Sequence, residues 1–256
     1  MNKYFTHKTT VLALLIFCIS FTAISQTKVN AKDIIAAVKK GKTVTYKNAT
    51  IIGVLDFTFM DEAMERLPKR RKWWNNNSNQ IKKSIESSIS FVNCTFEDDV
   101  LAYIPDEYSG YTFTADFENT AVFKNCTFKG KAMFKYSDFD KNSTFEGTKF
   151  NGDSTFKYAK FNKKSNFMNT SFQETATFKY AEFDRNVSFA NAVFKETATF
   201  KYAKFRDGVS FNKTRFEEDL NLKYTKVSGD FDIKGMHVAF GIDSKYTKIN
   251  GKSFTY

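Results

Sequence analysis

The sequence predicts an all-β chain: a quadrilateral parallel β-helix with about 22 residues per coil and a short N-terminal capping helix. Three observations predict it. Phe is in great excess, 30 residues beside 12 Tyr and only 2 Pro. Apolar centres recur at steps that alternate six and five. The residue two before each centre is small. So many rings need a regular means of burial, because exposed rings aggregate.

The centres run from Phe117 through Phe123, Phe128, Phe134 and Phe139 to Phe216 without a fault. The register continues with Leu222, Val227, Ile233 and Val238. The preceding small residues include Ala121, Cys126, Ala132, Ser137, Ser143 and Thr148. Two residues apart on an extended strand means the same face, so both point inward. A helix of period 3.6 would scatter such centres around its axis. Short straight sides with a corner after each centre accommodate them. Four sides of five, six, five and six residues close one coil. The longer corners carry Gly, Asn and Asp, as in Lys129-Gly130-Lys131 and Asn151-Gly152-Asp153, which suit bends. Burying each Phe contributes roughly 1.5–3 kcal/mol gross.

This pattern resembles the pentapeptide-repeat family, in its Phe-centred branch with alternating five and six spacing. The resemblance covers 112–250 strongly and 43–111 weakly. It implies a four-sided, right-handed β-helix filled by the small residue and the centre. The best-known activity in that family is DNA mimicry that shields topoisomerases. Mimics of that kind are acidic, whereas this chain is basic.

The N-terminus reads as an address. Lys3 and Lys8 precede an apolar run from Val11 to Phe21, and Ala23 and Ser25 suit cleavage before Gln26. Residues 1–25 are therefore expected to be a signal peptide, with a periplasmic or secreted product that is not transmembrane. Residues 26–42 are expected to hold the capping helix, Asn30 capping Ala31 to Lys40 and Gly41 ending it. The β-helix should occupy 43–256. Tyr46, Ile51 and Phe57 begin it, and insertions at 61–88 and 97–111 interrupt it. Between them the repeat resumes at Phe91 and Phe96, giving about one coil before Phe117. No cap is evident after Phe254 and Tyr256, and an open end could pair with a second copy, forming a homodimer.

The formal charge is +11, falling to +9 without residues 1–25, which hold two Lys and no acid. A basic surface favours anionic partners. Lys135-Tyr136, Lys157-Tyr158, Lys179-Tyr180, Lys201-Tyr202, Lys223-Tyr224 and Lys245-Tyr246 recur with period 22 and should form two ladders on one face. One reading is a docking surface for an anionic polymer, with Tyr rings stacking on sugars or bases. The other is a wall stiffened by Tyr stacking, with the Lys copied by duplication. Glu174, Glu196 and Glu218 make a shorter acidic row, read as a solvated corner. Arg70, Arg71, Lys72, Trp73 and Trp74 form a basic, aromatic segment that could contact anionic lipid or a partner, or pack on the wall.

Asn93-Cys94-Thr95-Phe96 and Asn125-Cys126-Thr127-Phe128 are the same motif. The register puts Cys94 and Cys126 on one side of adjacent coils, facing inward, as a disulfide or as two stacked buried thiols. Outside the leader the sole His is His237, so a Ser/His/Asp or Cys/His arrangement has little to draw on. No catalytic, metal or cofactor residues are expected. The sequence thus points to a non-catalytic exported structural or protein-interaction module of the cell envelope. The alternative is a binder of anionic glycan or lipopolysaccharide through the Lys/Tyr ladder. The partner is an envelope protein or an anionic polymer, and no nucleic acid is expected.

Overall fold

The computed structural model describes residues 27–68 and 79–256. The leader reading of 1–25 and the Arg70–Trp74 segment lie outside these residues. Four sheets of short parallel strands form the walls of a solenoid. Side one runs in eight strands from Val44–Lys47 to Phe231–Asp232, through Ser143–Thr144 and Ser165–Asn166. Side two has nine strands, from Thr27–Asn30 to His237–Val238. Side three has eight, from Leu55–Asp56 to Ile242–Asp243. Side four has ten, from Gln80–Ile85 to Lys252–Ser253.

Register advances by 22 residues per coil, as in Phe128 opposite Phe150, Phe150 opposite Phe172 and Phe172 opposite Phe194. The alternation of six and five therefore sets one centre per side. Phe117 to Phe216 are 0–1% exposed. Each ring stacks on the same side of the next coil and meets its neighbours edge-on. Phe139 and Phe161 stack at 4.8 Å and 1°, and Phe156 meets Phe167 at 5.3 Å and 85°. Both arrangements suit the aromatic quadrupole. The small residues leave room for these rings. Where they are Thr, the hydroxyl donates back to a carbonyl, as from Thr214 to Phe189 O at 2.7 Å. Ser137, Ser143, Ser154 and Ser165 have the size but no partner for Oγ.

The six-residue corner between sides two and three brings coils very close. A Cβ on Gly152 would stand 2.7 Å from the carbonyl oxygen of Gly130. At the N-terminal end, α1 (Ala31–Lys39) plugs the core with buried Ala31, Ile34 and Val38. Asn30 Oδ1 accepts from the Lys32 amide at 2.9 Å, as an N-cap should.

Three boundaries differ from the sequence reading. Thr27–Asn30, placed there with the capping helix, is a wall strand paired with Ala49–Ile52. The segments 61–88 and 97–111, read as insertions, each contain wall. Gln80–Ile85 pairs with Tyr111–Phe117, and Val100–Leu101 pairs with Ala132–Met133. Ile85 and Ala102 stand where Phe stands elsewhere, so a search for Phe passes over them, and two coils precede Phe117 rather than one. The C-terminus also has a partial cap. Lys252–Ser253 folds back antiparallel on Lys248–Ile249, and Phe254 meets Phe231 edge-on at 5.2 Å. The hairpin lies along side four and reaches side one through Phe254.

Candidate interaction edge

Each coil has two five-residue corners, and both need one residue in the left-handed region. Between sides one and two that residue is Asn48, Asn93, Asn125, Gly147, Asn169, Asn191, Lys213 or Gly235, with φ of 50–70°. Asn and Gly tolerate this conformation best. The Asn side chains also form a ladder, Asn191 Nδ2 donating to Asn169 Oδ1 at 3.2 Å and Asn93 Nδ2 to Asn48 Oδ1 at 3.0 Å.

Between sides three and four, the left-handed residues are Tyr136, Tyr158, Tyr180, Tyr202, Tyr224 and Tyr246, with φ of 60–64°. A bulky residue there costs about 1–2 kcal/mol. The corner is held by the wall: Tyr158 N donates to Lys179 O at 3.0 Å, and Tyr180 N to Lys201 O at 3.0 Å. Successive Tyr rings stack at 4.6–4.9 Å with interplanar angles of 1–17°. Each Lys of the six pairs places Nζ 4.9–5.8 Å from the ring centroid of its Tyr, within cation–π range.

This geometry corrects one sequence expectation. Interior rings of the ladder have neighbours against both faces, so sugars or bases have no interior face on which to stack. The ladder offers ring edges, hydroxyls and ammonium groups.

The period-22 count also missed members of this edge. Phe59 is two residues after Phe57, as Tyr136 is after Phe134, and it has φ 52°. Lys39 and Lys83 stand over its ring at 5.3 and 4.9 Å. Its register would have revealed it. Tyr103, one residue after Ala102, sits in an antiparallel excursion. It caps the ladder 6.0 Å from Tyr136, and its hydroxyl accepts from Lys135 Nζ at 2.9 Å. Nothing in the repeat signals it.

Beside the Tyr run Asp116, Asp138, Lys160, Glu182, Lys204, Lys226 and Lys248, in register on side four. Near the N-terminal end a groove of about 280 Å³ is lined by Gln80, Lys82, Tyr136, Asp138, Tyr158, Lys160, Tyr180 and Glu182. Lys82 bridges Asp116 at 2.7 Å and Asp138 at 3.6 Å. Burial, then the Asp116 charge, raises the Asp138 carboxyl. Burial opposes ionisation of Glu182, but hydrogen bonds from Lys204 and Arg206, both 2.6 Å, outweigh it and hold that carboxyl below its ordinary range. Burial lowers Lys157, with help from Lys135 and Lys179 on either side.

Cys94 and Cys126 lie one coil apart, Thr127 N donating to Cys94 O at 2.9 Å. Both are buried free thiols. Cys126 Sγ donates to Phe91 O at 3.4 Å. Its hydrogen bond to Cys94, followed by burial, pushes its thiol up. Glu174, Glu196 and Glu218 do not join the Lys/Tyr edge; Glu174 and Glu196 stand two residues before the side-three strands Ala176–Thr177 and Ala198–Thr199.

Residues 113–160, 156–202 and 178–226 match the family described as Pentapeptide repeats (9 copies). This stretch belongs to the pentapeptide-repeat family. Proteins of this family are in general structural or interaction modules. No curated protein and no solved structure gives a significant match.

Proposed function

We propose that this pentapeptide-repeat protein is a non-catalytic interaction module, exported to the cell envelope, whose working surface is the Lys/Tyr edge. The observation that carries the reading is the residue choice at the two five-residue corners. The wall closes equally well with Asn or Gly, as the other corner does at seven of its eight positions. Six Tyr in a conformation that disfavours them are more than the wall requires. Export is supported by the basic, apolar and small-residue order of the first 25 residues. A structural or adaptor role suits a solenoid, which presents a long, regular surface.

The test uses a variant with all six ladder Tyr changed to Asn. Immobilised parent and variant are exposed to solubilised envelope. The reading expects components retained by the parent and lost by the folded variant. Equal retention by both would remove the edge as the working surface.

A further inference from the structure

The edge divides into two electrostatic halves. In the N-terminal half the acids Asp116, Asp138 and Glu182 are engaged by Lys82, Lys204 and Arg206. In the C-terminal half Lys223 and Lys245 form one column, and Lys226 and Lys248 a second. Among the described residues none of these four makes an ion pair. Lys226 lies directly opposite Lys248, a like-charged pairing that costs the wall stability. Lys226, Lys245 and Lys248 are exposed. The carboxylate closest in sequence, Asp243, accepts a hydrogen bond from the backbone N–H of Lys245 at 3.1 Å.

We propose that Lys223, Lys226, Lys245 and Lys248 bind a linear anionic polysaccharide, laid parallel to the solenoid axis. The proposal rests on the edge being the working surface and names its ligand class. Two columns of ammonium groups repeat at the coil rise of about 4.8 Å. That rise is close to the length of one pyranose unit in an extended chain. Sulfate or phosphate groups along such a chain can therefore stay in register with the lysines over successive coils. Tyr224 and Tyr246 lie between the columns and offer hydroxyl donors to sugar oxygens. Single-stranded nucleic acid gains much of its affinity from bases stacked on free aromatic faces. At the patch Tyr224 is stacked on both faces and Tyr246, the last ring of the ladder, on one, so the patch offers such a strand a single stacking position.

The experiment titrates the full chain with fluorescent dextran sulfate near physiological ionic strength. One variant carries Lys223→Gln, Lys226→Gln, Lys245→Gln and Lys248→Gln. A second, of equal net charge, carries Lys141→Gln, Lys149→Gln, Lys163→Gln and Lys164→Gln, four exposed lysines away from the patch. The patch variant should weaken binding by at least about tenfold and flatten its salt dependence, while the control changes it by less than about threefold. Equal losses in the two variants would reduce the effect to net charge and overturn the proposal. So would tighter binding of single-stranded DNA than of dextran sulfate. If the patch variant binds dextran sulfate normally while the Tyr→Asn variant loses envelope capture, the ligand assignment falls and the edge remains the working surface.

Discussion

The two five-residue corners of each coil have the same length, the same left-handed residue and the same inter-coil hydrogen bond, yet different side chains. The corner between sides one and two carries Asn, Gly and one Lys. The corner between sides three and four carries Tyr in six successive coils, and Phe59 in the first. The first corner shows what the backbone alone asks for. The second departs from it consistently, at a cost that ring stacking, worth about 0.5–1.5 kcal/mol per pair, nearly balances. The difference separates what the solenoid needs from what it displays.

The largest expected effect lies where the corners should not differ. Phe156 precedes the Tyr158 corner and Phe167 the Asn169 corner, and both are fully buried. Phe156→Ala and Phe167→Ala should each cost about 3–5 kcal/mol in chemical denaturation. Unequal losses would show that the two halves of the core are not equivalent, and would break the comparison.

Exchange of corner residues is the next test. Asn169→Tyr loses the hydrogen bond from Asn191 and places a lone ring in the left-handed region, at a cost of about 1–2 kcal/mol. Tyr180→Asn loses two ring contacts, at 4.6 and 4.7 Å, but relaxes the backbone, and should change stability by less than about 1 kcal/mol. The reverse order of costs would make the Tyr corner the structural one.

The smallest effect concerns charge on the edge. The Glu182 carboxyl is held below its ordinary range in the folded chain. Its contribution to stability is therefore present above the unfolded value and lost as pH falls through the folded one. The pair is partly solvated, so the contribution should be about 1 kcal/mol or less. Glu182→Gln should flatten stability against pH in the acidic range, measured by urea melts at stepped pH, and an unchanged slope would count against the Lys204 and Arg206 bridges.

The repeat made most of the wall legible. A small residue and a Phe two apart, at steps of five and six, specify which side chains are inside and which coils are neighbours. The period of 22 likewise placed each Lys/Tyr pair at one corner. What stayed hidden has a physical cause in each case. Ile85 and Ala102 replace Phe at wall positions, so two stretches of wall read as insertion. Tyr103 reaches the ladder from an excursion whose antiparallel pairing has no repeat signature. The left-handed backbone of the Tyr corner was invisible because Tyr is not a residue that announces it, unlike Asn and Gly. Stacking of the rings on one another followed from that geometry and removed the faces that the sequence offered to sugars or bases.

The most direct measurement is the thermal unfolding midpoint of the chain with Tyr136, Tyr158, Tyr180, Tyr202, Tyr224 and Tyr246 all changed to Asn. If the Tyr ladder is displayed rather than required, relief of six left-handed Tyr nearly balances the lost stacking. The midpoint should then stay within about 5 °C of the parent, a net change of about 1–2 kcal/mol. A fall of tens of degrees, or failure to fold, would make the ladder a requirement of the solenoid and contradict the account.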